Sequence, residues 1–332
     1  MSTEAQTWEN SLALTQFYHN FKPDIELGGV LLASLLLLTL LGYQDFQEMW
    51  KYRFMRRAIY AGILAALAFG IIGSYVVVRR LVFITGGIAH ASFGGVGLAF
   101  YLSWGLVYGP IMGAALFALA SALGIGLLSR ETLEREETTI GIIWAVGMAL
   151  GAFFIRETPG YSFSPSSYLF GDILLLGEVD ILFLQLLIGA ILVTVFLLYH
   201  KLQALAFDEE FTMVVGVHTT LLNLYFLGLV AMTIVLLLKF MGVILVLAML
   251  TIPASIMGQF TSDLKRIMGW STLLSLIFVL GGLWTAWVYD TEVGATIVLQ
   301  SAAVYLGVTL GKKVWEFVRM RRRRQTQTET TG

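Results

Sequence analysis

Apolar residues in this chain come in long unbroken runs separated by short islands of charge. Neither the period of an amphipathic helix nor the alternation of a half-buried strand describes them. A helix crossing a hydrocarbon layer about 30 Å thick needs roughly 20 apolar residues at a rise of 1.5 Å each. Ten runs meet that length: Leu27–Gln44, Ala58–Val78, Leu81–Trp104, Gly105–Ser129, Thr138–Ile155, Ile181–Tyr199, Thr219–Leu238, Phe240–Ser262, Ile267–Tyr289 and Val293–Gly311, each free of Asp, Glu, Lys and Arg. Unpaired backbone groups in lipid cost several kcal/mol each, so only helices or closed barrels span it, and unbroken runs lack a barrel's alternation. The expected fold class is all-α: a polytopic membrane helix bundle with about eight to ten transmembrane helices.

Composition points the same way. Of 332 residues, 58% are hydrophobic and 13% charged, whereas soluble domains carry about 25% charged residues. Mean hydropathy is +0.81. The net charge of −1 implies no nucleic-acid partner, and position matters more than sum, with Arg319 and Arg321 to Arg324 crowded near the C-terminus. Residues 1–26 are polar and slightly acidic, unlike a cleavable signal peptide. Short loops rich in Lys and Arg mark the cytoplasmic side. Walking back from Lys312 and Lys313, this rule places Lys265, Arg266, Lys201, Arg130, Arg135, Arg79 and Arg80 inside, and Asp290–Glu292 and the loop Arg156–Glu178 outside. The walk also places Lys51, Arg53, Arg56 and Arg57 outside, against the rule. Either Leu27–Gln44 lies in the interface or the glycine-rich run after Arg80 is re-entrant.

Chemistry is sparse. With no cysteine, thiolate sites and disulfides are excluded, leaving imidazole, carboxylate and backbone oxygen as possible metal ligands. His90 is the one histidine inside an expected span, and an ionisable group at that depth is a functional candidate by default. Its alternative is an interhelical hydrogen bond in a packed interface. Gly87, Ala91 and Gly94 recur at helical spacing around it, as close helix packing in lipid requires. Ser92 and Thr85 offer hydroxyls, which more often bond to their own helix. His19, His200 and His218 read as solvated surface.

The blocks GSYVVVRR (Gly73–Arg80), GGIAHASFGGVGLAF (Gly86–Phe100), ETTIGIIWAVGMALG (Glu137–Gly151), SYLFGDIL (Ser167–Leu174), FDEEFTMVVGV (Phe207–Val217), LKFMGVILVLAMLTIPASI (Leu238–Ile256) and YDTEVGATIVL (Tyr289–Leu299) follow one another in order. Together they resemble the permease subunits of bacterial zinc, manganese and iron ABC importers, over roughly Phe54 to Gly311. The resemblance divides the chain into an N-terminal extension (1–50) with one extra hydrophobic segment, a permease domain (51–311) and a basic cytoplasmic tail (312–332). It implies a multi-pass inner-membrane protein with a cytoplasmic C-terminus, paired with a second permease copy. The further partners it implies are a cytoplasmic ATPase and an extracytoplasmic metal-binding protein. No permanent cofactor is expected, and a divalent metal ion is the transported substrate.

The resemblance also assigns residues. His90, Gly86 and Ser92 fall on the metal pathway, with His90 as ligand. The family pattern has an aspartate four residues before this histidine, where this chain has Gly86. The stretch Pro253–Arg266, with Asp263, Lys265 and Arg266, matches the coupling helix on which the ATPase acts, and Asp208 and Glu209 form a second candidate contact. Pro253 is expected to interrupt its span, and Ser262–Asp263 to cap the next helix. Asp172, Glu178 and Asp180, near Glu157, would make an acidic outer mouth that gathers cations, or else a solvated loop. No GxxxxGK[ST] phosphate loop occurs, so ATP hydrolysis belongs to another subunit. The rival is an ion-gradient-driven secondary transporter, which usually carries carboxylates within its spans; these runs have none.

Overall fold

The structure, a computed structural model, describes residue 45 and residues 47–105, 108–128, 133–159 and 170–330. The first hydrophobic run, His19, Arg130 and residues 160–169 of the Arg156–Glu178 loop lie outside these residues. The described residues form helices and turns with no strand. In chain order the elements are α1 (Arg53–Val78), α2 (Val82–Tyr101), α3 (Gly109–Leu128), α4 (Leu133–Glu157), a 3₁₀ turn (Ile173–Leu175), α5 (Glu178–Phe207), α6 (Glu209–Val214), α7 (Thr219–Met257), α8 (Leu264–Tyr289) and α9 (Val293–Thr330). Eight of them are long and apolar enough to cross a membrane.

The count differs from ten because the first run is outside the described residues and two runs merge in α7. That helix has 39 residues. As one straight rod it would measure about 58 Å, nearly twice the hydrocarbon thickness. It is not straight. At Gly242 the backbone takes φ 69°, ψ 165°, a conformation essentially confined to glycine. Near the start of α7, Asn223 accepts a hydrogen bond from Arg79 at the end of α1. Lys239 then meets Asp180 at the start of α5, where Glu178 holds Arg57 at the opposite end of α1. By Leu250 the chain is back on the Arg79 half of α1, so close that a Cβ on Gly73 would lie 2.4 Å from the Leu250 oxygen. The two legs of α7 are therefore antiparallel, and Gly242 is the hairpin.

Pro253 does not break its helix, contrary to the sequence expectation; the second leg of α7 runs through it to Met257. Proline is tolerated in membrane helices where neighbouring groups compensate for the lost donor, and here the sharp break falls on Gly242 instead. Asp263 does cap α8, accepting a hydrogen bond from the Lys265 amide. The glycine-rich run is a full helix, α2, rather than a re-entrant loop.

Small residues set the packing of α2. Cβ atoms added at Gly87, Gly94 or Gly97 would meet Ile140, Gly147 or Gly151 of α4, and Gly147 itself lies on Ala91. At Gly95 the backbones of α2 and α3 nearly touch: a Cβ there would stand 1.9 Å from the Gly113 oxygen. α1 and α8 pack through Gly62 against Val279 and Gly70 against Thr272. The core between these helices is built from Phe69, Ile72, Tyr75, Phe226 and Phe278, all nearly fully buried.

Candidate functional site

The bundle has two polar ends. At one lie Arg79, Arg80, Lys201, Glu209, Asp263, Lys265, Arg266 and Lys312; at the other lie Arg53, Arg57, Asp172, Glu178, Asp180 and Asp290. This division matches the alternation read from the loops, including its exception, since Arg53 and Arg57 do lie at the Glu178 end. Both guanidinium groups meet the Glu178 carboxylate.

Starting at the Arg80 end, α1, α2, α4 and the second leg of α7 border an open groove of about 620 Å³ that is largely apolar, with Val77, Arg80, Phe83, Gly86, Trp144 and Thr251 among its walls. Gly86 and His90 sit one helical turn apart on α2. His90 is half-buried, its ring stacked on Trp144 with centroids 4.3 Å apart and planes 8° from parallel. Its Nδ1 is buried without a hydrogen-bond partner among the described residues. A Cβ at Gly86 would rest in ordinary contact with the same Trp144 ring at 3.7 Å. Gly86 and His90 therefore share Trp144 as a neighbour. Trp144 escaped the sequence reading because a tryptophan in an apolar run reads as core; its place opposite His90 depends on how α2 crosses α4.

Ser92 is fully buried and donates to the Ala89 oxygen, and Thr85 donates to the Val82 oxygen. Both hydroxyls are used within their own helix, as the alternative reading expects, and Ser92 is not on the groove's walls. Among the described residues no three His, Asp or Glu side chains gather as a metal cluster.

Each of the outer carboxylates has a local partner, although Asp172 and Glu178 stay exposed. Asp172 accepts from the Leu174 amide, Glu178 holds two arginines, and Asp180 holds Lys239 and the Gly177 amide. Nearby cations drew them into helix caps and ion pairs, and Lys239 was hidden from the sequence reading because it falls between two expected spans. At the other end, the stretch Pro253–Arg266 forms no separate helix: α7 ends at Met257 and a turn leads to α8. That turn is fastened to α9, since Gln259 donates to Thr309 and Lys312 donates to the Gln259 oxygen. Asp208 caps α6, accepting from the Phe211 amide, while Glu209 turns inward to Arg79 at 2.8 Å.

Comparison with known proteins resolves which family builds this bundle. Residues 51–312 match the model of the ABC 3 transport family. The chain belongs to that family. It is 38% identical over 256 residues to an uncharacterized membrane protein of Synechocystis sp., covering 77% of this chain and 90% of that relative. It is 36% identical over 250 residues to a protein of Chlamydia trachomatis named "Probable metal transport system membrane protein", covering 75% and 85%. A solved structure, PsaBC from Streptococcus pneumoniae in complex with Fab, superposes with a TM-score of 0.69 at 24% identity over 80% of this chain and 94% of its own. At that identity the likeness supports the fold alone. The protein is a multi-pass membrane permease of an ABC transporter.

Proposed function

We propose that this chain forms the translocation path for a divalent metal ion, zinc, manganese or iron, in an importer powered by a separate cytoplasmic ATPase. The observation that carries the reading is His90: an imidazole within a membrane span, one turn from a groove wall, with a ring nitrogen that no donor or acceptor among the described residues occupies. Neutral imidazole is a common ligand for these metals. The name of the Chlamydia relative supports the same cargo class. On this reading the ion is cargo passing a site on the path rather than a resident cofactor. The Arg79 end is cytoplasmic on this reading. It carries the exposed apolar side chains Phe211, Met213, Val214 and Val215 of α6 and its flank, as an ATPase docking face would. The C-terminal tail lies on this side, an external metal-binding protein delivers to the Glu178 end, and a second permease copy completes the path.

The test is ATP-dependent uptake of each ion into vesicles that contain this chain and its ATPase. Uptake of at least one ion is expected, with His90→Ala reducing it about tenfold or more, the scale of one lost metal contact. Uptake unaffected by His90→Ala removes His90 from the path. Uptake driven by a proton gradient without the ATPase favours the secondary-transporter reading.

A further inference from the structure

α6 is a single short helix with two unlike faces. Its outer side chains Phe211 and Val214 are 61% and 86% exposed, while Glu209, itself half-exposed, reaches across to Arg79. Behind it lies a cavity of about 560 Å³, walled by Arg79, Arg80, Phe83, Glu137, Met213 and Asn223. Packed interiors transmit displacement because they have little free space, whereas a void of this size does not. The chain itself joins α6 to α5 and, through residues 215–218, to α7. Across the cavity, Arg79 makes a further link. One guanidinium nitrogen meets Glu209 of α6 at 2.8 Å and the other meets Asn223 of α7 at 2.9 Å, with the arginine side chain only 12% exposed.

Arg79 also opens the short turn that leads from α1 into α2. Its amide and that of Arg80 bond to the last turn of α1, and the Leu81 amide reaches Val76 at 2.8 Å. Arg80 is in the left-handed conformation at φ 60°, and α2 begins at Val82. The link from Arg79 to the helix bearing Gly86 and His90 is thus a closed, hydrogen-bonded turn, not a slack loop.

We infer that Arg79 is a positioning residue that transmits movement of α6 to α2, so that the ATPase acting on α6 resets the helix carrying His90. This rests on the proposed ATP-driven function and assigns Glu209 to an internal strut rather than to the partner surface. The experiment uses the full importer in vesicles, with ATP hydrolysis and metal uptake measured together for wild type, Arg79→Gln, Glu209→Gln and the double variant. Because the chain has no cysteine, a fluorescent label attached through Phe83→Cys reports on α2. Each single variant is expected to lower the ions moved per ATP about tenfold, a usual size for coupling between sites. The double variant should lose no more than either single, since the pair acts as a unit. The nucleotide-dependent change in the α2 label should disappear with them. An unchanged ratio of uptake to hydrolysis, or a persisting label response, overturns the inference. If Arg79→Gln does not fold, the half-exposed Glu209→Gln carries the same test. A wild-type chain that shows no ATP-dependent uptake overturns the proposed function itself, a result distinct from failure of the strut.

Discussion

Glycine has opposite consequences at two positions in neighbouring helices. At Gly95 a methyl group would stand 1.9 Å from a backbone oxygen, so α2 and α3 would have to separate. At Gly141, on the exposed face of α4, nothing lies within 4 Å. Gly95→Ala is expected to destabilise the bundle by about 2 kcal/mol, the usual cost of overpacking a tight contact. Gly141→Ala should be neutral or stabilising by up to about 1 kcal/mol, because alanine is the better helix former. Thermal unfolding in detergent, followed by tryptophan fluorescence, separates them. The ion pairs at the Glu178 end divide in the same way. Glu178 is 70% exposed, and Arg53→Ala should change stability by less than about 1 kcal/mol. Asp180 is 11% exposed, and Lys239→Ala should cost about 2 kcal/mol by leaving a charged group short of a partner. Equal losses in the same unfolding assay would show that burial does not govern these pairs.

Among the elements, helix ends and helix breaks were each partly legible. Asp208 and Asp263 are strong capping residues with apolar runs just behind them, and each caps the helix that follows. The boundary between two expected spans, at Lys239, lies three residues before the reversal at Gly242, so the sequence placed that break nearly where it falls; Pro253, expected to interrupt its span, stays helical. A glycine among many apolar residues carries no mark of its φ. What singles it out is Gly171, also at positive φ, whose missing side chain leaves room for the Gly242 amide. That contact joins residues far apart in the chain. The last helix likewise continues past Gly311 to Thr330, so the expected edge of the permease domain does not interrupt the backbone.

For the whole molecule, the arrangement of ends gives a direct test of orientation. Because there is no native cysteine, single cysteines report cleanly. Thr291→Cys, at the Glu178 end, is expected to react with a membrane-impermeant maleimide in intact cells, and Lys265→Cys only after lysis. The reverse pattern would invert the proposed orientation and place the α6 face outside. The amino-acid sequence by itself determined that this is an all-α membrane protein, where its spans lie and which loops share an end. Those properties follow from segment length, hydropathy and charge, which act locally against lipid and water. Only the tertiary structure decided that Glu178, Asp180 and Glu209 are held by Arg57, Lys239 and Arg79, and that Trp144 covers the place beside His90. Partner choice across helices depends on crossing geometry, and that geometry is set by glycine contacts between segments that no single segment encodes.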